Sequence, residues 1–214
     1  MIVPRRQASV LYLETLQLPY KVQFFGVTDE KFDELVDEDV KAELMDGVMT
    51  MHSPASVRHD DVVVFLIGLL RGFAEERAVG EVFGSNSLVQ LRPGRRFAPD
   101  LYFLRPGRMP RPAPQQFNGV PDMVAEVLSP SNREDDLGPK RSAYREAGVP
   151  EIWLVDPSEE RILIDRKRRK SYVTETVAEG RAESTVVTGF WLDAAWLWAD
   201  PPPPLFRRLR AILK

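Results

Sequence analysis

Residues 126–144 read EVLSPSNREDDLGPKRSAY and follow the apolar run VPDMVA. Glu126 therefore ends a strand that the run drives inward, and Lys140 follows fourteen residues later, on the first turn of a predicted helix. A buried carboxylate is costly unless a side-chain cation or a metal ion sits beside it. Alternate residues of a strand share a face, so Asp122, Val124, Glu126 and Leu128 point one way. Asp122 and Glu126 lie ~13 Å apart at ~3.3 Å per residue, too far to ligate one ion together. A partner carboxylate must come from another strand, and Asp100 in RFAPDLYFL, directly after Pro99, heads an apolar run. Two carboxylates from adjacent strands, with the lysine of a following helix, suit a hard divalent cation such as Mg²⁺ or Mn²⁺. Such ions keep waters that can be activated for attack on phosphate. Lys140 would stabilise developing negative charge or help deprotonate a water. The plainer alternative is a structural acid, Glu126, paired with Lys140 or an arginine.

The elements that must position these groups follow from periodicity and punctuation. TDEKFDELVDED (28–39) predicts a short helix with Thr28 as N-cap and acids in its first turn. KAELMDGVMTMH (41–52) alternates around Asp46-Gly47, a hairpin signal. Ser56 opens a long helix to about Arg77, with Val63, Leu66, Ile67, Leu70 and Phe73 at three- and four-residue spacing. Strands are expected at 81–84, 87–91, 98–104 and 120–128, the last two separated by a Pro- and Arg-rich loop. A helix from Pro139 to Ala147 ends at Gly148. The strand 151–156, a hairpin with the basic turn RKRRK (166–170), a strand from Ser184 to Phe190 and a short helix in DAAWLWAD complete the pattern. Residues 1–27 read as an arm, 28–200 as one α/β domain with a mixed sheet flanked by helices, and 201–214 as a Pro-rich break with a basic amphipathic tail.

Composition narrows the function classes. The chain has 214 residues, 43% apolar and 29% charged, as in soluble globular proteins. It lacks cysteine, which excludes disulfides and thiolate zinc sites, and two histidines make a poor zinc enzyme. No apolar run reaches membrane-span length, and no secretory signal opens the chain, so a cytoplasmic location is expected. A net charge of −3 argues against nonspecific coating of nucleic acid. Local basicity softens that objection. Arg92, Arg95, Arg96, Arg105, Arg108 and Arg111 bracket Asp100 and would suit phosphate contacts.

The stretches AELMDGVMTMHSPASVRHDDVV, APDLYF and VPDMVAEVLSPSNREDDLGPKRSAYREAGVPEIWLVD resemble, in order and spacing, the Uma2 family of putative restriction endonucleases. The resemblance runs from about residue 28 to 198. It implies the restriction-endonuclease-like fold of the PD-(D/E)xK nucleases, with extra antiparallel hairpins. By it, Asp100 takes the aspartate of the motif and Glu126 the second acid. The usual lysine position is Leu128, a departure, and Lys140 in DLGPK stands in for it. Glu43 matches an additional metal-site carboxylate from an N-terminal element. His59 matches a histidine common in the family and is expected at the site rim, or packed locally. Tyr144, one helical turn from Lys140, borders the site. Asp136 either starts the helix or joins the rim. The implied activity is Mg²⁺-dependent hydrolysis of nucleic acid, DNA before RNA, with Mn²⁺ able to substitute. The rival expectation is a nuclease fold that binds nucleic acid or a protein without cutting. A homodimer would use the Trp-rich C-terminal part.

Overall fold

The computed structural model describes residues 20–37 and 40–214. Most of the predicted arm, residues 1–19, and Glu38 and Asp39 of the first predicted helix lie outside the described residues. Among the described residues, two six-stranded mixed sheets and a two-stranded ribbon form the framework, with helices packed against them. The restriction-endonuclease-like α/β class expected from the sequence is the one observed.

The first sheet is built around the predicted hairpin. Strands β2 (Glu43–Met45) and β3 (Val48–His52) are joined by Asp46 and Gly47, both at positive φ (48° and 89°), as a tight two-residue turn needs. Residues 21–25, read as part of an irregular start, instead form β1 (Lys21–Phe25), paired antiparallel with β3. Helix α1 (Asp29–Leu35), capped by the Thr28 hydroxyl, seals one face of this sheet with Phe32 over Leu44 and Met49.

Helix α2 (Val57–Arg77) starts where Ser56 caps it. Its apolar stripe packs on the second sheet, which contains β4 (Glu81–Gly84), β7 (Leu101–Leu104), β9 (Met123–Val127), β10 (Glu151–Asp156), β11 (Arg161–Arg168) and β12 (Ser171–Val177). Alternation along β9 holds as the pattern required. Met123, Ala125 and Val127 face α2, whereas Val124 joins the opposite core with Tyr102, Tyr144 and Leu154.

Four boundaries differ from expectation, each for a local reason. The predicted strand 98–104 begins only at Leu101. β6 (Arg95–Phe97) belongs to the first sheet beside β5 (Leu88–Arg92), β7 belongs to the second, and Ala98–Asp100 carries the chain between them. Pro99 supplies the break, having no N–H for either ladder. Strand β9 begins at Met123 rather than 120, after Pro121 and Asp122, and the preceding loop contains β8 (Gln116–Asn118). The helix predicted from Pro139 starts earlier. One turn, α3 (Arg133–Asp135), leads into a widened π-helical turn over Asp136–Lys140 and then α4 (Arg141–Ala147). Pro139 interrupts the regular ladder, and the π turn absorbs it. Residues 184–190 are not a strand. The Ser184 hydroxyl accepts from the N–H groups of Val186 and Val187 and folds a turn between β13 (Arg181–Glu183) and β14 (Trp191–Asp193).

After α5 (Ala195–Trp198) and the prolines, the tail forms α6 (Leu205–Ile212). It lies on α2 at Gly68 and Gly72, where Leu205 and Leu209 occupy the space a side chain would take. Among the described residues no helix is long and apolar enough to cross a membrane.

Candidate active site

The site lies where the chain passes from one sheet to the other. Glu43 comes from β2 of the first sheet, Glu126 from β9 of the second, and Asp100 from the crossing itself. Asp100 and Glu126 are locked by reciprocal bonds. The Asp100 N–H donates to Glu126 Oε2 at 3.2 Å, and the Val127 N–H donates to Asp100 Oδ2 at 2.8 Å. This follows from register, since Leu101 stands opposite Ala125 and places Asp100 beside Glu126.

Lys140 enters from the π turn. Its Nζ lies 2.8 Å from Glu43 Oε1, 2.8 Å from Glu126 Oε1 and 3.4 Å from Asp136 Oδ1. Tyr144, on the next turn, donates its hydroxyl to Glu126 Oε1 at 2.6 Å. The Ala98 N–H fixes Glu43 Oε1 at 2.9 Å. His59, in the first turn of α2, reaches Asp100 Oδ2 with Nε2 at 3.2 Å. All seven predicted residues thus converge, and His59 touches an acid directly rather than lining the rim. Asp136 is no cap. It is 2% exposed inside the π turn, and its Oδ2 has no hydrogen-bond partner.

The electrostatics follow from burial against charge. Burial pushes the Glu126 carboxyl up, Lys140 draws it back, and Asp100 and Glu43 push it up again, to about 7. Burial likewise holds Asp136 well above the carboxylate range despite Lys140. Burial would depress Lys140, but the carboxylates of Glu126 and Glu43 overcome it and keep the ammonium well above the usual lysine value. Burial opposes ionisation of Glu43 and Asp100 too. Lys140 outweighs it at Glu43 and His59 at Asp100, so both sit low. Asp100 in turn raises His59 against its own burial.

Four carboxylates therefore crowd one lysine and one histidine. Among the described residues no three His, Asp or Glu side chains are arranged to grip an ion directly. The Lys140 ammonium instead fills the space between Glu43 and Glu126. The donor chemistry still suits a hydrated hard cation, which needs only one or two carboxylates and keeps its waters.

A cavity of about 190 Å³ opens onto Glu43 and Lys140, lined also by Gln23, Thr50, His52 and Asp135. Gln23, Thr50 and His52 stand outside the sequence-predicted site. The hairpin held the signal, since Glu43 stands opposite Thr50, and His52 is two residues further along the same face. A larger cavity, about 740 Å³, lies beside α1, and its lining holds none of the four acids, Lys140 or His59.

The arginines expected to meet phosphate are engaged elsewhere. Arg92 and Arg95 pair with Asp46, Arg96 with Asp29 and Asp33, Arg105 and Arg108 with Asp122, and Arg111 with Glu81. Asp122, the second Pro-Asp acid, is thereby a structural clamp. Leu128, at the usual lysine position, is buried core.

Nothing among curated proteins matches the chain. A crystal structure of a putative nuclease belonging to DUF820 from Anabaena variabilis ATCC 29413 superposes with a TM-score of 0.71 at 18% identity. The match covers 80% of this chain and 97% of that one. The model of the Uma2 family, described as "Putative restriction endonuclease", matches residues 29–195. The chain belongs to the Uma2 family.

Proposed function

We propose that this protein is a metal-dependent endonuclease that hydrolyses phosphodiester bonds, with DNA as substrate. The observation that carries the reading is the surplus of buried carboxylates gathered at the crossing between the sheets, beside a single ammonium. A purely structural pair would need one acid for Lys140, not three. The family's description supports hydrolysis of DNA.

Asp100 and Glu126 would hold a Mg²⁺ ion, with Mn²⁺ as substitute and Glu43 as the third carboxylate of the surrounding shell. When bound, the ion supplies an activated water and polarises the phosphate. The remaining work falls to the chain. The Asp100–Val127 and Asp100–Glu126 bonds fix both carboxylates before substrate arrives. His59 keeps Asp100 ionised and oriented. Tyr144 holds Glu126 in one rotamer. Lys140, charged at neutral pH, stabilises negative charge on the phosphate oxygens as the bond to the leaving oxygen breaks. The cavity lined by Gln23, Thr50 and His52 gives the phosphate an approach to Lys140.

A second reading has an observation of its own. Lys140 already pairs with both Glu43 and Glu126, so a nuclease fold that binds nucleic acid without cutting would need no ion. Cleavage of supercoiled plasmid and of single-stranded DNA, in Mg²⁺, Mn²⁺ or EDTA, separates the two. The enzyme reading expects metal-dependent cleavage that Glu126→Gln and Asp100→Asn each reduce by about 10²–10³-fold or more. Absence of cleavage together with calorimetry showing no metal binding would sink it.

A further inference from the structure

The buried Asp136 Oδ2, like the Nδ1 atoms of His52 and His59, has no hydrogen-bond partner, and the proposed mechanism gives Asp136 no use. Asp136 and Lys140 belong to the same π turn, and Asp136 Oδ1 is already 3.4 Å from the ammonium. Lys140 now rests on Glu43 and Glu126, at 2.8 Å from each. Glu126 Oε1 takes both the ammonium and the Tyr144 hydroxyl, while Oε2 takes only the Asp100 N–H, at 3.2 Å. An ion shared by Asp100 and Glu126 would bring a double positive charge against that ammonium. Like charges at such range repel strongly in a buried site. Lys140 must then loosen its hold on Glu126.

We infer that Asp136 is a positioning residue, the second berth of Lys140. When a divalent cation binds Glu126 and Asp100, the ammonium pivots on Glu43 and moves from Glu126 to Asp136. The inference rests on the metal-site reading above. Three features of the structure support it. Asp136 Oδ2 is buried and unpartnered, so an acceptor is waiting. Glu43 Oε1 is fixed by the Ala98 N–H, which gives the pivot a stationary point. The π turn sets Asp136 and Lys140 on one side, so the shift from 3.4 Å to contact distance needs only side-chain rotation. A lysine carried by the helical turn after the strand, rather than by the strand itself, has the freedom to make this move.

The test is a double-mutant cycle on Mg²⁺ affinity, read by calorimetry without substrate. Asp136→Asn keeps the size of the side chain, and Lys140→Gln keeps hydrogen-bond donors for Glu43 and Glu126. In wild-type background Asp136→Asn weakens Mg²⁺ binding by about 10- to 100-fold, the usual effect of losing an outer-shell partner. In the Lys140→Gln background the same substitution changes nothing, because there is no ammonium to rehouse. An equal loss in both backgrounds overturns the inference, since Asp136 would then act on the ion or on the fold directly. No loss in wild type overturns it as well. If neither wild type nor Lys140→Gln binds Mg²⁺, the metal-site reading itself fails and takes the berth with it. Should Lys140→Gln not fold, ¹⁵N-lysine-labelled protein gives an independent readout. The Lys140 ammonium signal shifts on Mg²⁺ loading in wild type and not in Asp136→Asn. An unmoved signal in metal-loaded wild type overturns the inference.

Discussion

Lys140 Nζ stands 2.8 Å from Glu126 Oε1 and 2.8 Å from Glu43 Oε1, so one ammonium joins the acids of two different sheets. The contact is both an ion pair and a staple across the crossing at Ala98–Asp100. Its removal has consequences for folding that are separate from those for chemistry.

Lys140→Met should destabilise the protein by about 3–5 kcal/mol, because it strands buried carboxylates without compensation. Adding Glu126→Gln to that variant should restore much of the loss. Urea unfolding in EDTA at neutral pH reads both values. Equal stability of Lys140→Met and wild type would mean that the acids find other partners.

Asp122 and Asp100 both follow a proline, yet only Asp100 lies at the crossing. Asp122 accepts the Arg105 N–H at 2.9 Å and the Arg108 guanidinium at 2.8 Å, and its residue is 3% exposed. Asp122→Ala should therefore cost about 1–3 kcal/mol of stability while Mg²⁺ affinity stays at the wild-type value. A loss of metal binding in this variant would move the site to the wrong Pro-Asp pair.

Asp165 is fully buried between Arg141, Arg145 and Thr174, with bonds of 2.6 to 2.8 Å. Burial alone would raise its pKa, but the hydrogen bonds from Arg141 and Arg145 win and hold it far below the carboxylate range. An acid held lower when folded than when unfolded adds stability above its unfolded value of about 3.9 and loses it as pH falls below that. Wild type should lose stability steeply between about pH 5 and pH 2, and Asp165→Asn, though less stable at pH 7, should show a shallower fall. Urea midpoints across that range decide the matter. Parallel curves would count against Asp165 as an acid-labile joint.

The tail helix α6 rests on two glycines. A Cβ at Gly68 would stand 2.5 Å from Leu205 Cδ1, and one at Gly72 would stand 2.7 Å from Leu209 Cδ2. Gly68→Val should push α6 off α2, with faster amide exchange over residues 205–212 and little change in the β9 amides. Unchanged exchange in the tail would show that Leu205 rotates aside at no cost.

Periodicity and punctuation in the sequence were enough to determine the hairpin at Asp46-Gly47, the long helix after Ser56, the alternation of β9 and the stop at Gly148, because each depends on neighbours a few residues away. The types of Asp100, Glu126 and Lys140, and their order, marked out a candidate site, the family resemblance added Glu43 and His59, and the structure brings these five side chains together. Tertiary structure decided what local pattern could not. The stretch 98–104 does not by itself reveal that Pro99 and Asp100 carry the chain from one sheet to the other, since the break depends on which strands pair on either side. Arginines near Asp100 in sequence looked free for phosphate, but long-range pairing with Asp29, Asp33, Asp46, Asp122 and Glu81 occupies them. Asp136 read as a helix start, and only the π turn that absorbs Pro139 buries it beside Lys140. Residue type determines which charges a chain carries; packing decides which of them meet, because a few ångströms separate a solvated acid from a buried one.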